Sequence, residues 1–249
     1  MTARLLTTLA VTGALLAGAA AAQEVVRMGT EGAYPPYNFI NDAGQVDGYE
    51  RELGDLLCER AGLTCEWVTN EWDSIIPNLT SANYDTIMAG MSITPEREEV
   101  VDFTQNYIPP AASAFASTNP DADLEGGVIA AQVNTIQAAH IAASGATLLE
   151  FATPDETIAA VRNGEADAVF ADKDFLVAIV DEDPNMSFVG EDVPLGGGVG
   201  MALREGDPRR ETFDAILGEL KADGTLNELI VKWFGEDATV YDLDEASGN

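Results

Sequence analysis

Basic residues are scarce in this chain: 12 Lys+Arg stand against 43 Asp+Glu in 249 residues, a formal net charge of -31 at pH 7. That balance excludes nucleic acid and anionic membrane surfaces as partners, since both are gripped through basic side chains. Histidine occurs once, at His140, and cysteine twice. A zinc centre takes about four N or S ligands, which this chain cannot muster. The sequence contains no glycine-rich phosphate loop and no nucleophile with an adjacent base, so neither a cofactor nor covalent catalysis is expected. Beyond residue 22 no run is long and apolar enough to span a bilayer. The acidity does not mean disorder, because 46% of the residues are hydrophobic and the acids are interspersed with periodic apolar positions. It reads as a surface kept soluble by self-repulsion.

The first 22 residues stand apart from the rest. Arg4 precedes LLTTLAVTGALLAGAAAA, and the stretch ends in Ala20-Ala21-Ala22. This is the basic start, apolar middle and small-residue cleavage site of a secretory signal peptide. The expected mature protein is exported, soluble and monomeric, starting at Gln23. Export gives the two cysteines a meaning: Cys58 and Cys65, in LLCERAGLTCEWV, suggest a disulfide joining the end of a helix to the start of a strand.

Periodicity over the remainder predicts alternating strands and helices, an α/β architecture with mainly parallel strands. Residues 24–30 read as a strand, EGAYPPYNF as a loop and YERELGDLLCERAG as a helix closed by Gly62. TCEWVT reads as a strand, EWDSIIPNLTSANY as a short helix with Asp73 a candidate N-cap, and YDTIMAGM as a strand. The second half repeats the plan with GVIAAQ, TIQAAHIAAS, TLLEF, a helix capped by Thr153-Pro154, ADAVFA and KDFLVAIVDE. GVGMALR, an amphipathic helix closed by Gly224 and TLNELIVKWF complete it, before an acidic tail expected to fray. Two segments share one order: helix, polar turn, Asp, apolar strand. In one the strand runs from Asp85 to Gly90, in the other from Asp167 to Asp172. Two lobes presenting the ends of such strands would form a cleft.

AGMSITPER, residues 89–97, places Ser92, a helix start at Thr94-Pro95 and Arg97 together. In so acidic a chain this either receives an anion or leaves Arg97 as an exposed ion pair within PEREE. The chain resembles the periplasmic polar amino-acid-binding proteins of ABC importers, with the lysine/arginine/ornithine and opine receptors nearest. The resemblance rests on GTEGAYPPYNF, GYERELGDLLCERAGLTCEWV, WDSIIPNLTSANYDTIMAGMSITPER, VVDFTQNY, ADAVFAD and DGTLNELIVKWFG. It implies the two-lobed, type II periplasmic-binding-protein fold. Lobe 1 would be residues 23–110 and 196–249 and lobe 2 residues 111–195, with crossings near Pro109–Ser113 and Pro194–Gly198.

The resemblance further implies a periplasmic receptor, not an enzyme, that delivers an α-amino acid to an importer permease in the inner membrane. Arginine, lysine or ornithine leads; glutamine, histidine or an opine, a dehydratase-type enzyme and a sensor module are the alternatives. Arg97 and Thr135 match the carboxylate-binding positions, Ser92 can add a hydroxyl or backbone donor, and the helix opening at Asn134-Thr135 points free N–H groups at the same place. Asp172 matches the ammonium-binding position, although it also suits the N-cap of KDFLVAIV. Tyr34 and Trp72 match two aromatic walls, and Glu31 the acid that meets a side-chain cation. Two departures stand out. Ala89-Gly90 replaces a small polar pair, which leaves backbone groups and room. Arg51 occupies a position that is often apolar, for no reason visible in the sequence.

Overall fold

The computed structural model describes residues 24–243; the expected signal peptide and the last six residues lie outside that range. β1 (Val25–Thr30) opens the chain. Where the prolines suggested only a loop, a small antiparallel arm forms from β2 (Ala33–Tyr34), β3 (Asn38–Ile40) and β4 (Val46–Asp47). Its strands are too short for periodicity to register. α1 (Tyr49–Ala61) buries Leu53 and Leu57 and stops at Gly62, whose φ of 69° is the left-handed geometry that favours glycine. β5 (Thr64–Thr69) follows.

A 3-10 turn over Trp72–Ser74 then leads into α2 (Ile75–Thr80). The helix therefore starts after Asp73, and the expected N-cap is displaced to Ser74. Of the apolar run at 84–91 only β6 (Thr86–Ile87) pairs as a strand, because the chain turns away at Gly90, where φ is 61°. α3 (Pro95–Glu98) is capped by Thr94 and leads to β7 (Asp102–Ile108).

The chain next passes through residues 109–111 into β8 (Ala112–Ser117) and β9 (Val128–Gln132). It continues as α4 (Ile136–Ala142), β10 (Thr147–Phe151), α5 (Pro154–Arg162), β11 (Ala168–Asp172), α6 (Lys173–Glu182) and β12 (Ser187–Pro194). The cap expected at Thr153 forms, and Glu156 completes it as a capping box. The return through 195–198 gives β13 (Val199–Leu203), α7 (Arg209–Ala222) and α8 (Thr225–Phe234).

Two five-stranded sheets result, ordered β5-β1-β6-β13-β7 and β10-β9-β11-β8-β12, which make two α/β lobes. The mainly parallel expectation holds for half of each sheet. β5, β1 and β6 run parallel, as do β10, β9 and β11, whereas the strands that flank the crossings pair antiparallel. The repeated Asp has one job in both lobes. Asp85 accepts the Arg27 N–H of β1 at 3.0 Å, and Asp167 accepts the Val128 N–H of β9 at 2.7 Å. Each thereby aligns the central strand with its parallel neighbour.

The tail does not fray over its described part. Tyr241 exchanges two hydrogen bonds with the Asn227 side chain and donates its hydroxyl to Asn106 at 2.9 Å. The acids of this segment pointed to fraying; the aromatic ring among them anchors it.

Cys58 and Cys65 are bridged, with Cα atoms 5.9 Å apart, fastening α1 to β5. Replacing both by Ser should lower stability by about 2–3 kcal/mol, the loop-entropy value for so short a closure. Mass spectrometry of the oxidised protein should find no alkylatable thiol. Full alkylation without reductant, or an unchanged denaturation midpoint in the double variant, would remove the bridge from the stability account.

Candidate functional site

The carboxyl ends of the parallel strands in both lobes face one another, the usual place for a ligand in open α/β sheets. Glu31 follows β1, Tyr34 sits on the arm, Trp72 follows β5, and Ala89, Gly90 and Ser92 follow β6. From the second lobe come Gln132 at the end of β9, Thr135, Ile136 and Gln137 at the start of α4, and Asp172 at the end of β11. With Arg97 from α3, these residues line one pocket between the lobes. Nine of the ten residues singled out by the sequence line it; Asn134 does not.

Asn134 instead borders an adjoining cavity with Trp72, Asp73 and Arg97. Its φ of 56° turns its carbonyl onto Arg97, and its amide donates to Asp73 at 2.5 Å. Thr135 caps α4, accepting from the Ala138 N–H at 3.1 Å and donating to the Gln132 carbonyl at 2.7 Å.

Arg97 is turned inward. Its guanidinium donates to the carbonyls of Ser92 at 2.8 Å and Asn134 at 3.2 Å and lies 5.4 Å from the Trp72 ring centroid. Its hydrogen bonds thus go to main-chain oxygens rather than to the neighbouring glutamates. Burial pushes the guanidinium pKa down to about 10, opposed by the charge of Asp172, so it remains a cation at neutral pH.

Asp172 occupies the position before α6, but its side chain makes no cap bond. The carboxylate faces the cleft, accepting the Tyr34 hydroxyl at 2.8 Å and the Gln137 amide at 2.8 Å. Burial raises its pKa to about 6. Gln137 also donates to Ser113 at 3.0 Å, tying this carboxylate to the strand that leaves the first crossing.

Glu31 accepts the Gln132 amide across the cleft at 2.7 Å, and burial raises its pKa to about 7. Tyr34 is more than a wall. It stacks on Phe175 with centroids 4.3 Å apart while its hydroxyl reaches Asp172. The Glu31–Gln132, Tyr34–Asp172 and Asp73–Asn134 contacts all join one lobe to the other, so the cleft is closed.

The room expected above Ala89-Gly90 is partly filled, since a Cβ on Gly90 would lie 3.3 Å from the Tyr34 ring. The Gly90 amide, expected to be open to a ligand, donates instead to Glu50 at 2.7 Å. Arg51 now has an account. It pairs with Asp55 at 2.6 Å and lies 5.7 Å from the Trp67 ring centroid, beside a larger open groove that meets the cavity at Glu31 and Trp72. The sequence reading missed Gln132, Ile136 and Gln137. Two glutamines set within apolar elements were the available signal, because buried polar side chains of that kind need a purpose.

The model of the bacterial extracellular solute-binding proteins, family 3, matches residues 26–236. A crystal structure of a periplasmic His/Glu/Gln/Arg/opine family-binding protein from Silicibacter pomeroyi, in complex with lysine, is 73% identical. It covers 87% of this chain and 100% of its own, with a TM-score of 0.85. The L-arginine-binding protein of Pseudomonas aeruginosa is 34% identical over 87% of this chain and 90% of its own length. The octopine-binding periplasmic protein of Rhizobium meliloti is 30% identical over 91% and 96% respectively. With this extent of match along a chain of two α/β lobes closed over a polar cavity, the protein belongs to the bacterial extracellular solute-binding proteins of family 3.

Proposed function

We propose that this protein is a periplasmic receptor that captures a cationic α-amino acid and presents it to an ABC importer. The observation that carries the reading is one pocket lined together by Arg97, Asp172 and Glu31. An α-amino acid with a basic side chain has three charges of complementary sign: a carboxylate for Arg97, an ammonium for Asp172 and a side-chain cation for Glu31. Arg97 offers the planar fork that a carboxylate accepts bidentately. Ser92, Thr135 and Gln137 border the same space and hold the ligand's polar end, and Tyr34 and Trp72 cover its aliphatic stem. The L-arginine-binding and lysine-bound relatives support this ligand class.

The residues that carry the reading bind charge and leave bonds intact, so the ligand is released chemically unchanged. Of the described residues, 24–110 with 196–243 form one lobe and 111–195 the other, and they part about the two crossings to admit the ligand. The amino-terminal 22 residues direct export and are removed.

A thermal-shift panel of amino acids tests the ligand class, since binding only the folded state raises the melting temperature. Arginine, lysine or ornithine should give the largest shift, and Arg97→Ala should abolish every shift. A largest shift with glutamate or an apolar amino acid would refute the cationic assignment.

Closure is tested by small-angle scattering, where the radius of gyration should fall when the ligand is added. An identical profile at proven saturation would refute a hinge.

The pH dependence has a definite sign. Glu31 sits at about 7 in the closed protein against an ordinary 4.5, so the empty fold is favoured by proton uptake. That contribution is complete below 4.5 and is lost as pH rises through about 7. A cation binds the ionised form, so affinity for arginine should fall as pH drops below 7 in proportion to the closed fraction of the unliganded protein, reaching about tenfold per unit only if that form is closed. Glutamine should follow only Asp172, near 6. Calorimetry between pH 5 and 8 should show the two ligands diverging, and Glu31→Gln should abolish the divergence.

A further inference from the structure

Glu50, in the first turn of α1, is 0% exposed, and none of its three hydrogen-bond partners is a cation. A carboxylate so placed is costly unless its lone pairs are filled. One oxygen accepts the Gly90 N–H at 2.7 Å and the Tyr107 hydroxyl, and the other accepts the Asn38 amide at 2.7 Å. Burial raises the carboxyl pKa while these three bonds resist the rise.

Each donor belongs to a different part of the lobe. Gly90 is on the cavity wall. Tyr107 is on β7, one residue short of its end at the first crossing, and its carbonyl accepts the Tyr49 hydroxyl at 2.7 Å. Asn38 is on the arm, and its side-chain Oδ1 accepts the N–H of Gly32, the residue after Glu31, at 2.7 Å. That last bond fixes which way the Asn38 amide points.

We propose that Glu50 is a positioning residue for ligand selection: it sets Glu31, through Asn38 and Gly32, in register with the Gly90 wall and the β7 strand. The inference rests on the receptor reading above and deepens it, since it concerns how the side-chain cation is met. The mechanism is one of donor and acceptor parity. Glu50 accepts on both oxygens, so Asn38 can donate to it and still accept from Gly32. A glutamine side chain at this position that keeps its oxygen on Gly90 and Tyr107 turns its NH₂ against the Asn38 NH₂. If Asn38 flips to relieve that, its NH₂ meets the Gly32 N–H. Either way the Glu31 segment loses a bond that holds it, while Arg97 and Asp172, on other elements, keep theirs. Parity returns if residue 38 becomes a carboxylate, which accepts both from Gly32 and from the substituted amide.

The test is calorimetric titration with arginine and glutamine of the wild type, Glu50→Gln, and the double variant Glu50→Gln with Asn38→Asp. Glu50→Gln should weaken arginine about tenfold or more and glutamine much less, the loss expected when a buried donor is stranded. The double variant should recover most of the arginine preference. Equal losses for both ligands, or a lowered melting temperature with the arginine-to-glutamine ratio unchanged, would reduce Glu50 to a packing role and overturn the proposal. If Glu50→Gln does not fold, the double variant decides. Folding with wild-type preference supports the parity argument, and failure to fold or a lost preference overturns it. A wild type that binds neither amino acid would instead sink the receptor reading, an outcome distinct from all of these.

Discussion

Three charged groups are drawn out of water in one closed cleft, and each is held by neutral partners rather than by another charge. Arg97 bonds main-chain carbonyls, Asp172 bonds Tyr34 and Gln137, and Glu31 bonds Gln132. Neutral hydrogen bonds return only part of the lost hydration, so burial pushes every one of the three toward its uncharged form. Closing the lobes on an empty cavity therefore costs electrostatic free energy. On the proposed reading, a zwitterion with a basic side chain reverses the sign of that term at all three points. The ligand then acts by its differential interaction with closed and open forms, the only way a ligand can shift such an equilibrium.

The topology lets that difference act across the molecule. In both lobes the site residues sit beyond the carboxyl ends of parallel strands, and the antiparallel strands carry the chain between lobes. On the proposed reading, motion about residues 109–111 and 195–198 would leave the hydrogen bonds of each sheet intact. The crossings are also coupled to each other. The Asn106 side chain, on the strand before the first, donates to the Gly197 carbonyl in the second at 3.0 Å, and the Tyr241 hydroxyl of the tail bonds the same asparagine. Lys221 lies 4.4 Å from the Tyr241 ring centroid and closes the cluster.

The fold was legible because its long elements obey simple periodicities. α6 and α8 begin and end where the apolar spacing places them, and Gly62 and Thr153 punctuate helices for the expected reasons. The strand expected over the apolar run at 84–91 shrinks to β6, and the arm strands β2 and β4 and the strands β7, β8 and β12 were not legible, since their pairing is set by tertiary contacts rather than by local pattern. Within the site, residue types with one obvious chemistry were found, and glutamines were not. An Arg in an acidic chain or an Asp ending an apolar strand announces itself, whereas Gln132 and Gln137 matter through partners 101 and 35 positions away. Asn134 was placed by its neighbour Thr135, but its left-handed backbone directs its amide away from the cavity and onto Asp73.

The Ala89-Gly90 departure takes on a different meaning once Glu50 is considered. A side chain at position 90 would need a left-handed φ and would approach the Tyr34 ring, so glycine answers the backbone and the aromatic wall together. Its amide, withdrawn from the cavity, anchors a buried carboxylate whose other oxygen holds the arm. If Glu50 positions Glu31 as proposed, the hydroxyls missing from the cavity floor are balanced by a stiffer frame around Glu31. A floor hydroxyl can donate to or accept from many ligand groups, whereas a fixed carboxylate favours a cation. On the proposed reading, exchanging one for the other moves discrimination from the floor of the site to the Glu31 end, where the ligand's side chain would lie.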